Sequence, residues 1–249
     1  MIPAAQSSDA STYAADVWRV VEAQNRCATM RLTDSLDDQR LLEELIDEVK
    51  PPAPADAAGL HYLLQAPFRY APYPNASRFR RANAYPGVFY AAEAQVTAMR
   101  ELAFYRLLFF HEAPGAALPA RPVELTVFAA SCAAERAFDL TEPPLSAHAD
   151  LWTHLTEYAA CHALTDQARA LDVTVIRYQS ARHPEGRCVA VLTPAAFAKP
   201  EPVRAETWRL FVRPTKVQAW REFPRAQFEF DAALFSDDPR LSAVTAKSE

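Results

Sequence analysis

The sequence predicts an α+β protein, and three observations carry that expectation. Short β-branched or aromatic stretches alternate irregularly with a few helical ones, not in the regular order of a parallel sheet. Half of the 249 residues are hydrophobic and 23% are charged, enough to build a core for one large domain or two small ones. Glycine is scarce: only Gly59, Gly87, Gly115 and Gly186, beside 20 prolines, where an average chain of this length carries roughly 17 glycines. No G-x-G-x-x-G, G-x-x-x-x-G-K-[ST] or G-x-S-x-G occurs. A Rossmann turn, a P-loop and a hydrolase nucleophile elbow are therefore excluded. Any phosphate bound here has to be held by side chains rather than by a glycine cradle.

The elements follow in order. Residues 1 to about 15 are small and polar and read as a loose tail, and 17–30 is ambiguous between helix and strand. From Ser35 to Val49 the pattern is helical, because Leu42, Leu45, Ile46 and Val49 fall at i, i+3, i+4 and i+7 with acids opposite. Asp34 or Ser35 can cap this helix, and Lys50-Pro51-Pro52 stops it. Pro51 to Gly59 reads as a linker. Leu60–Leu64 and Val88–Ala92 read as short strands, Val96–Phe110 as a buried helix and Val123–Ala129 as a strand. Leu151–Ala170 reads as one long helix with Leu155, Tyr158, Ala159, His162 and Ala163 on one stripe. Val173–Tyr178 and Cys188–Leu192 read as strands, and Trp208–Val212 with Val217–Trp220 as a hairpin through Pro214-Thr215. From Ser236 the chain is polar and reads as frayed. The expected organisation is an N-terminal extension, 1–56, with a helix near 35–49, a main domain, 57–235, and a flexible tail, 236–249.

Net charge is −5, which argues against a global basic face for nucleic acid. Cys27, Cys132, Cys161 and Cys188 are scattered without a C-x-x-C pair, so no metal site is expected and the cysteines read as buried thiols in a reducing compartment. The first fifteen residues lack a basic segment followed by an apolar one, so no secretory signal is read. No apolar run approaches the ~20 residues that span a bilayer. The expectation is a soluble, cytoplasmic protein.

The most informative segment is Ala57 to Ala92, which holds none of the chain's 31 acids. It holds Arg69, Arg78, Arg80 and Arg81, interleaved with Tyr62, Phe68, Tyr70, Tyr73, Phe79, Tyr85, Phe89 and Tyr90. Arginine forks suit phosphate oxygens and stack on aromatic planes. Two readings stand: a pocket for a polyanionic aromatic small molecule such as a nucleotide, or a proline-rich loop whose arginines pair with acids elsewhere. Next comes Glu101, with Ala98, Leu102 and Tyr105 at i−3, i+1 and i+4. It is either a buried functional acid or a surface acid paired with Arg100 or Arg106. Ser180, after the strand at Val173, either donates to a ligand or satisfies its own turn. Thr156, Tyr158 and His162 are polar residues on a partly apolar face; a lone histidine there more often serves the core.

These segments together resemble the RES-domain family, the toxin half of RES–Xre toxin–antitoxin pairs. The resemblance runs over roughly 60–195, through Pro67-Phe68-Arg69-Tyr70, Ser77-Arg78-Phe79-Arg80, Gly87-Val88-Phe89-Tyr90, Thr97-Ala98-Met99-Arg100-Glu101, Thr156 to His162, and Tyr178-Gln179-Ser180-Ala181-Arg182. The N-terminal extension and the Pro-Phe-Arg-Tyr element look like the longer, ParT-type branch. The resemblance implies an ADP-ribosyltransferase-like mixed β core flanked by helices, which binds NAD without a Rossmann turn. It implies a toxin that consumes NAD as co-substrate and transfers ADP-ribose to a host metabolic enzyme, phosphoribosyl pyrophosphate synthetase for that branch, neutralised by a cognate Xre-type antitoxin. It assigns catalysis to Glu101, Tyr90 and Arg69, and substrate binding to Arg69, Tyr70, Arg78, Tyr90, Thr156 and Ser180. The family's glycines before the second arginine are Ala76 and Ser77 here, which leaves open which of Arg78, Arg80 and Arg81 faces the ligand.

The implied chemistry suits a carboxylate. Breaking the nicotinamide–ribose bond builds positive charge on the ribose, as in glycosidases, and a fixed carboxylate can stabilise it. The alternatives are an NAD glycohydrolase or phosphorylase with no protein acceptor, and a non-catalytic nucleotide-binding module.

Overall fold

A computed structural model describes residues 5–23, 33, 35–49, 53–69, 73–113 and 115–241. The elements in order are β1 (Ala10–Glu22), α1 (Leu36–Val49), α2 (Tyr62–Arg69), β2 (Phe89–Ala92), α3 (Gln95–Glu112), β3 (Val123–Asp139), α4 (Ala149–Thr153), α5 (Ala159–Ala170), β4 (Val175–Gln179), β5 (Arg187–Val191), β6 (Arg204–Arg213), β7 (Lys216–Arg221) and β8 (Ala226–Asp231). The strands form one mixed sheet in the order β1-β2-β5-β4-β3-β6-β7-β8, and β1 also pairs with β3. The fold is thus a central mixed sheet with helices against it, in line with the α+β expectation.

β3 organises the sheet. It runs antiparallel to β1 from Ala10↔Phe138 to Glu22↔Leu125. Its other edge takes β6 over Val123–Ala129 and then, in parallel, β4 over Ala137–Asp139. Being flanked on both edges explains its length. The run Ala129-Ala130-Ser131-Cys132-Ala133-Ala134 has few strand-forming side chains, so sequence pattern ends the strand at Ala129. Small residues fit there because other elements cover them: Ala130, Cys132 and Ala134 are buried.

Several expectations need correction. The N-terminal segment is not a loose tail from Ala10 onward, because β1 is a sheet strand that buries Val17. Leu60–Leu64 is not a strand; α2 takes Tyr62–Arg69 and buries Leu64 and Phe68, one helical turn apart. The long helix at 151–170 is two. α4 stops at Thr153 and α5 starts at Ala159, with the His154 ring Nδ1 accepting the Thr156 and Glu157 N–H groups in the break. The C-terminal segment is not frayed as far as Leu241, since Asp238 and Leu241 are buried. β8 was missed although Phe228 and Phe230 alternate with Gln227 and Glu229, and Phe228 stacks on Trp208 at 5.3 Å.

Other expectations hold. Helix α1 is present and Ser35 caps it, its hydroxyl accepting Asp38 N–H at 3.1 Å. Two residues of its expected apolar stripe, Leu45 and Ile46, are exposed. β2, α3, β4, β5 and the β6–β7 hairpin lie where their periodicity places them. Cys132, Cys161 and Cys188 are buried free thiols, while Cys27 lies outside the described residues. Gly87 brings the chain under α2, and a Cβ there would lie 1.9 Å from the Pro67 carbonyl oxygen.

Candidate active site

The central cavity encloses about 460 Å³ where β1, β2 and α3 meet three irregular segments. These are the turn at 76–78, the turn after β4, and the chain at Arg240. Glu101 is the only carboxylate among the described lining residues, and it faces four arginines, Arg19, Arg78, Arg182 and Arg240. Trp18, Tyr90, Tyr105, Tyr158 and Tyr178 supply aromatic walls. An acidic protein thus keeps a positive, aromatic pocket, the chemistry that suits a polyanionic aromatic ligand.

Glu101 sits on α3 and is half-buried. The Ser180 hydroxyl donates to its Oε1 at 2.5 Å, and the Cys188 thiol reaches the same oxygen at 3.9 Å. Ser180 Oγ itself accepts the N–H groups of Arg182 at 3.1 Å and His183 at 3.0 Å. A hydroxyl has two lone pairs and one proton. With both lone pairs taken by backbone donors, the proton is directed at Glu101. Oε2 has no partner among the described residues and is left for a ligand. Neither proposed arginine pairs with this acid: Arg106 bonds Glu22, and Arg100 lies over the Phe235 ring. Burial, then the charge of Glu101, pushes the Cys188 thiol well above its ordinary value, so it stays neutral.

Arg78 projects from a tight turn closed by paired Ser77–Arg80 backbone bonds. The Tyr90 hydroxyl staples this turn, 2.9 Å from Ser77 Oγ and accepting Phe79 N–H at 2.9 Å. His162 Nε2 lies 2.9 Å from the Ser77 carbonyl, which can only accept, so that nitrogen carries the proton. The histidine is therefore a support for the turn. Arg78 Nη1 donates to the Trp152 carbonyl at 2.6 Å, and its guanidinium lies 4.9 Å over the Tyr158 ring. Burial pushes the Tyr90 hydroxyl up to about 12, against the opposing pull of its Ser77 and Phe79 bonds, so it remains a neutral staple.

The three candidate arginines now separate. Arg78 lines the cavity, whereas Arg81 pairs with Asp166 at 2.6 Å on the surface. Arg80 holds its own loop through the Asn75 carbonyl at 2.6 Å. Within the acid-free window one arginine thus lines the cavity, one pairs with a distant acid and one braces its own loop.

The other expected site residues are dispersed. Glu101, Tyr90 and Arg78 line the cavity, and Ser180 stands behind Glu101. Arg69 ends α2, half-buried, and is not among the lining residues. Thr156 lies in the α4–α5 break, also outside the lining. Tyr70 falls outside the described residues. Sequence reading missed Trp18 and Arg19, which sit in a stretch of ambiguous periodicity, and Arg240, which sits in a polar end. Arg182 had a visible signal, two residues after Ser180 in a strand-ending turn.

Among the described residues no cluster of histidine, cysteine and acids suits a metal ion, and no helix is long and apolar enough to cross a membrane.

Comparison with known proteins places the chain. A sequence model of the RES domain matches residues 53–213; the chain belongs to the RES-domain family. Among solved structures, one similar chain comes from the M. tuberculosis MbcT–MbcA toxin–antitoxin complex, with a TM-score of 0.43 and 12% sequence identity, covering 92% of this chain and 91% of that one. Comparison with curated proteins gives no match.

Proposed function

We propose that this RES-domain protein is an NAD-consuming enzyme, the toxin of a toxin–antitoxin pair, and that its central cavity breaks the nicotinamide–ribose bond. One observation carries the reading: among the described residues a single carboxylate, with one oxygen fixed by Ser180 and the other unpartnered, opens into a pocket of arginines and tyrosines.

Each residue has a part in that reaction. The arginines hold the pyrophosphate, Arg78 from its stapled turn, and so fix the ribose beside Glu101. As the C–N bond lengthens, positive charge develops on the ribose and Glu101 Oε2 stabilises it. Nicotinamide leaves as a neutral molecule and needs no strong acid, and Glu101 is the one carboxylate among the described lining residues. Tyr90 keeps the Arg78 turn in place and packs beside the leaving group. Ser180 acts through Glu101 as a positioning residue. Arg69, which stands apart from the lining, is given no phosphate in this scheme.

Glu101 serves bond cleavage whatever the acceptor, and no contact in the cavity favours a protein over a small molecule. Incubation of the purified protein with NAD, followed by mass analysis of all products, decides the matter. Loss of NAD with release of nicotinamide supports the reading. Free or phosphorylated ADP-ribose then identifies a small acceptor, and added mass on a protein identifies transfer. NAD that is bound but unchanged would make the chain a nucleotide-binding module and overturn the catalytic reading. An enzyme that depletes NAD harms its host, so the reading includes a neutralising antitoxin.

A further inference from the structure

The C-terminal segment lies beyond the matched residues 53–213, yet it contributes to the cavity. Arg240 lines it together with Arg182 from the turn after β4. Asp238 joins the two. Its Oδ2 accepts from Arg182 Nη2 at 2.9 Å and from Arg240 Nη2 at 2.8 Å, and its Oδ1 accepts from Arg240 Nε at 2.9 Å. The carbonyl of Leu155, exposed by the α4–α5 break, accepts from both arginines at 3.2 and 3.1 Å. The Phe104 ring lies beneath, 3.9 Å from the Arg182 guanidinium and 5.2 Å from that of Arg240.

The arrangement is incomplete. The Arg182 side chain is 3% exposed, and its Nε and Nη1 are buried without a hydrogen-bond partner among the described residues. Glu101 and Asp238 both act on Arg182 through their charge, yet no carboxylate among the described residues reaches its Nε or Nη1. A buried guanidinium with unmet donors is costly, and an oxyanion with several acceptor oxygens removes that cost.

We propose that Arg182 and Arg240, clamped by Asp238, form a phosphate-binding subsite of the cavity distinct from Arg78. The subsite shares a turn with the catalytic acid: Arg182 N–H bonds Ser180 Oγ, and Ser180 Oγ bonds Glu101. The phosphate it takes is either part of the dinucleotide's pyrophosphate or free orthophosphate, and its use in NAD turnover rests on the function proposed above.

Binding isotherms on the full chain test the subsite, with NAD, nicotinamide riboside and sodium orthophosphate as probes. The variants are Arg240→Gln, at a partly exposed position, and Arg182→Lys, which keeps a charge against Asp238 but loses the fork. If the subsite holds the pyrophosphate, both variants weaken NAD binding by about tenfold or more and leave nicotinamide riboside unchanged. If it holds free phosphate, both lose orthophosphate binding and keep NAD. Folded variants that bind NAD and orthophosphate as tightly as wild type would overturn the subsite. Should Arg182→Lys fail to fold, Arg240→Gln alone decides. Wild-type protein that binds no NAD would instead overturn the proposed function, leaving the subsite to be judged by orthophosphate, and absence of that binding too would overturn it.

Discussion

The Ser180 hydroxyl donates to Glu101 Oε1 at 2.5 Å, joining the end of β4 to the middle of α3. The contact fixes one oxygen of the only carboxylate lining the described cavity. Glu101→Gln keeps size and hydrogen bonding but removes the charge, and should lower NAD turnover by at least about a hundredfold with little change in melting temperature. Ser180→Ala removes the donor to Glu101 and the acceptor for two backbone N–H groups. It should lower kcat about tenfold and cost ~1–3 kcal/mol of stability. Steady-state kinetics with denaturant unfolding separates the two variants, and wild-type turnover by Glu101→Gln would end its catalytic assignment.

Tyr90 holds the Arg78 turn through its hydroxyl contacts to Ser77 and Phe79. Tyr90→Phe keeps the ring but loses the bonds to Ser77 and Phe79. Arg78 should then be less well held, raising KM for NAD several-fold at a stability cost of ~1–2 kcal/mol. Arg81→Ala breaks only a surface pair with Asp166, worth about 0–1 kcal/mol, and should leave KM unchanged. Equal effects of the two substitutions would refute the separation of the arginines.

How much of this was legible in the sequence depends on whether the signal was local. The Arg78 turn, Tyr90 and Glu101 are carried by composition and spacing within 45 residues, and they meet in the cavity. The clamp of Arg182 and Arg240 on Asp238 depends on where the polar C-terminal segment docks, which no local pattern encodes. β1 was obscured because its burial alternates only from Tyr13 to Val17, with a small Ala15 among the inward residues, while Trp18 to Val21 are all half-buried. The helix break at 154–158 was obscured because its cause is a histidine ring accepting backbone N–H groups, a contact that helical periodicity does not register. Arg69 shows the converse: its motif is clear, but α2 carries it away from the cavity lining.

Gly186 ties the Ser180 turn to α3. A Cβ there would lie 2.5 Å from Thr97 Oγ1 and 2.7 Å from His183 Nδ1, two atoms that already bond each other at 2.9 Å. Thr97 is one helical turn before Glu101. Gly186→Ala should therefore push the turn off the helix, costing ~1–3 kcal/mol and loosening the Ser180–Glu101 contact. The expected kinetic mark is a fall in kcat larger than the rise in KM. Restored kcat in Gly186→Ala/Thr97→Ala, which removes both clashing Thr97 atoms, Oγ1 at 2.5 Å and Cγ2 at 2.6 Å, would support that cause; an unchanged defect would count against it.

Asp238 makes stability acid-sensitive. Burial pushes its carboxyl up, but the bonds from Arg240 and the charge of Arg182 outweigh burial and hold it below its ordinary value. Glu93 behaves alike: burial raises it, and Arg177, bonded at 2.7 and 3.0 Å, outweighs burial and leaves it below its ordinary value. A carboxylate whose value is depressed in the folded state contributes its full stability above the unfolded value, roughly 4. That contribution is lost as pH falls through the folded value. The share of wild-type stability that Asp238 and Glu93 supply should be constant between about pH 5 and 7 and lost progressively below about 4. Asp238→Asn should be less stable at neutral pH by about 3–5 kcal/mol, because it leaves Arg182 buried against a neutral group, and its stability should fall less steeply in acid. Urea unfolding across pH 3 to 7 measures both, and an acid slope identical to wild type would remove Asp238 from the account.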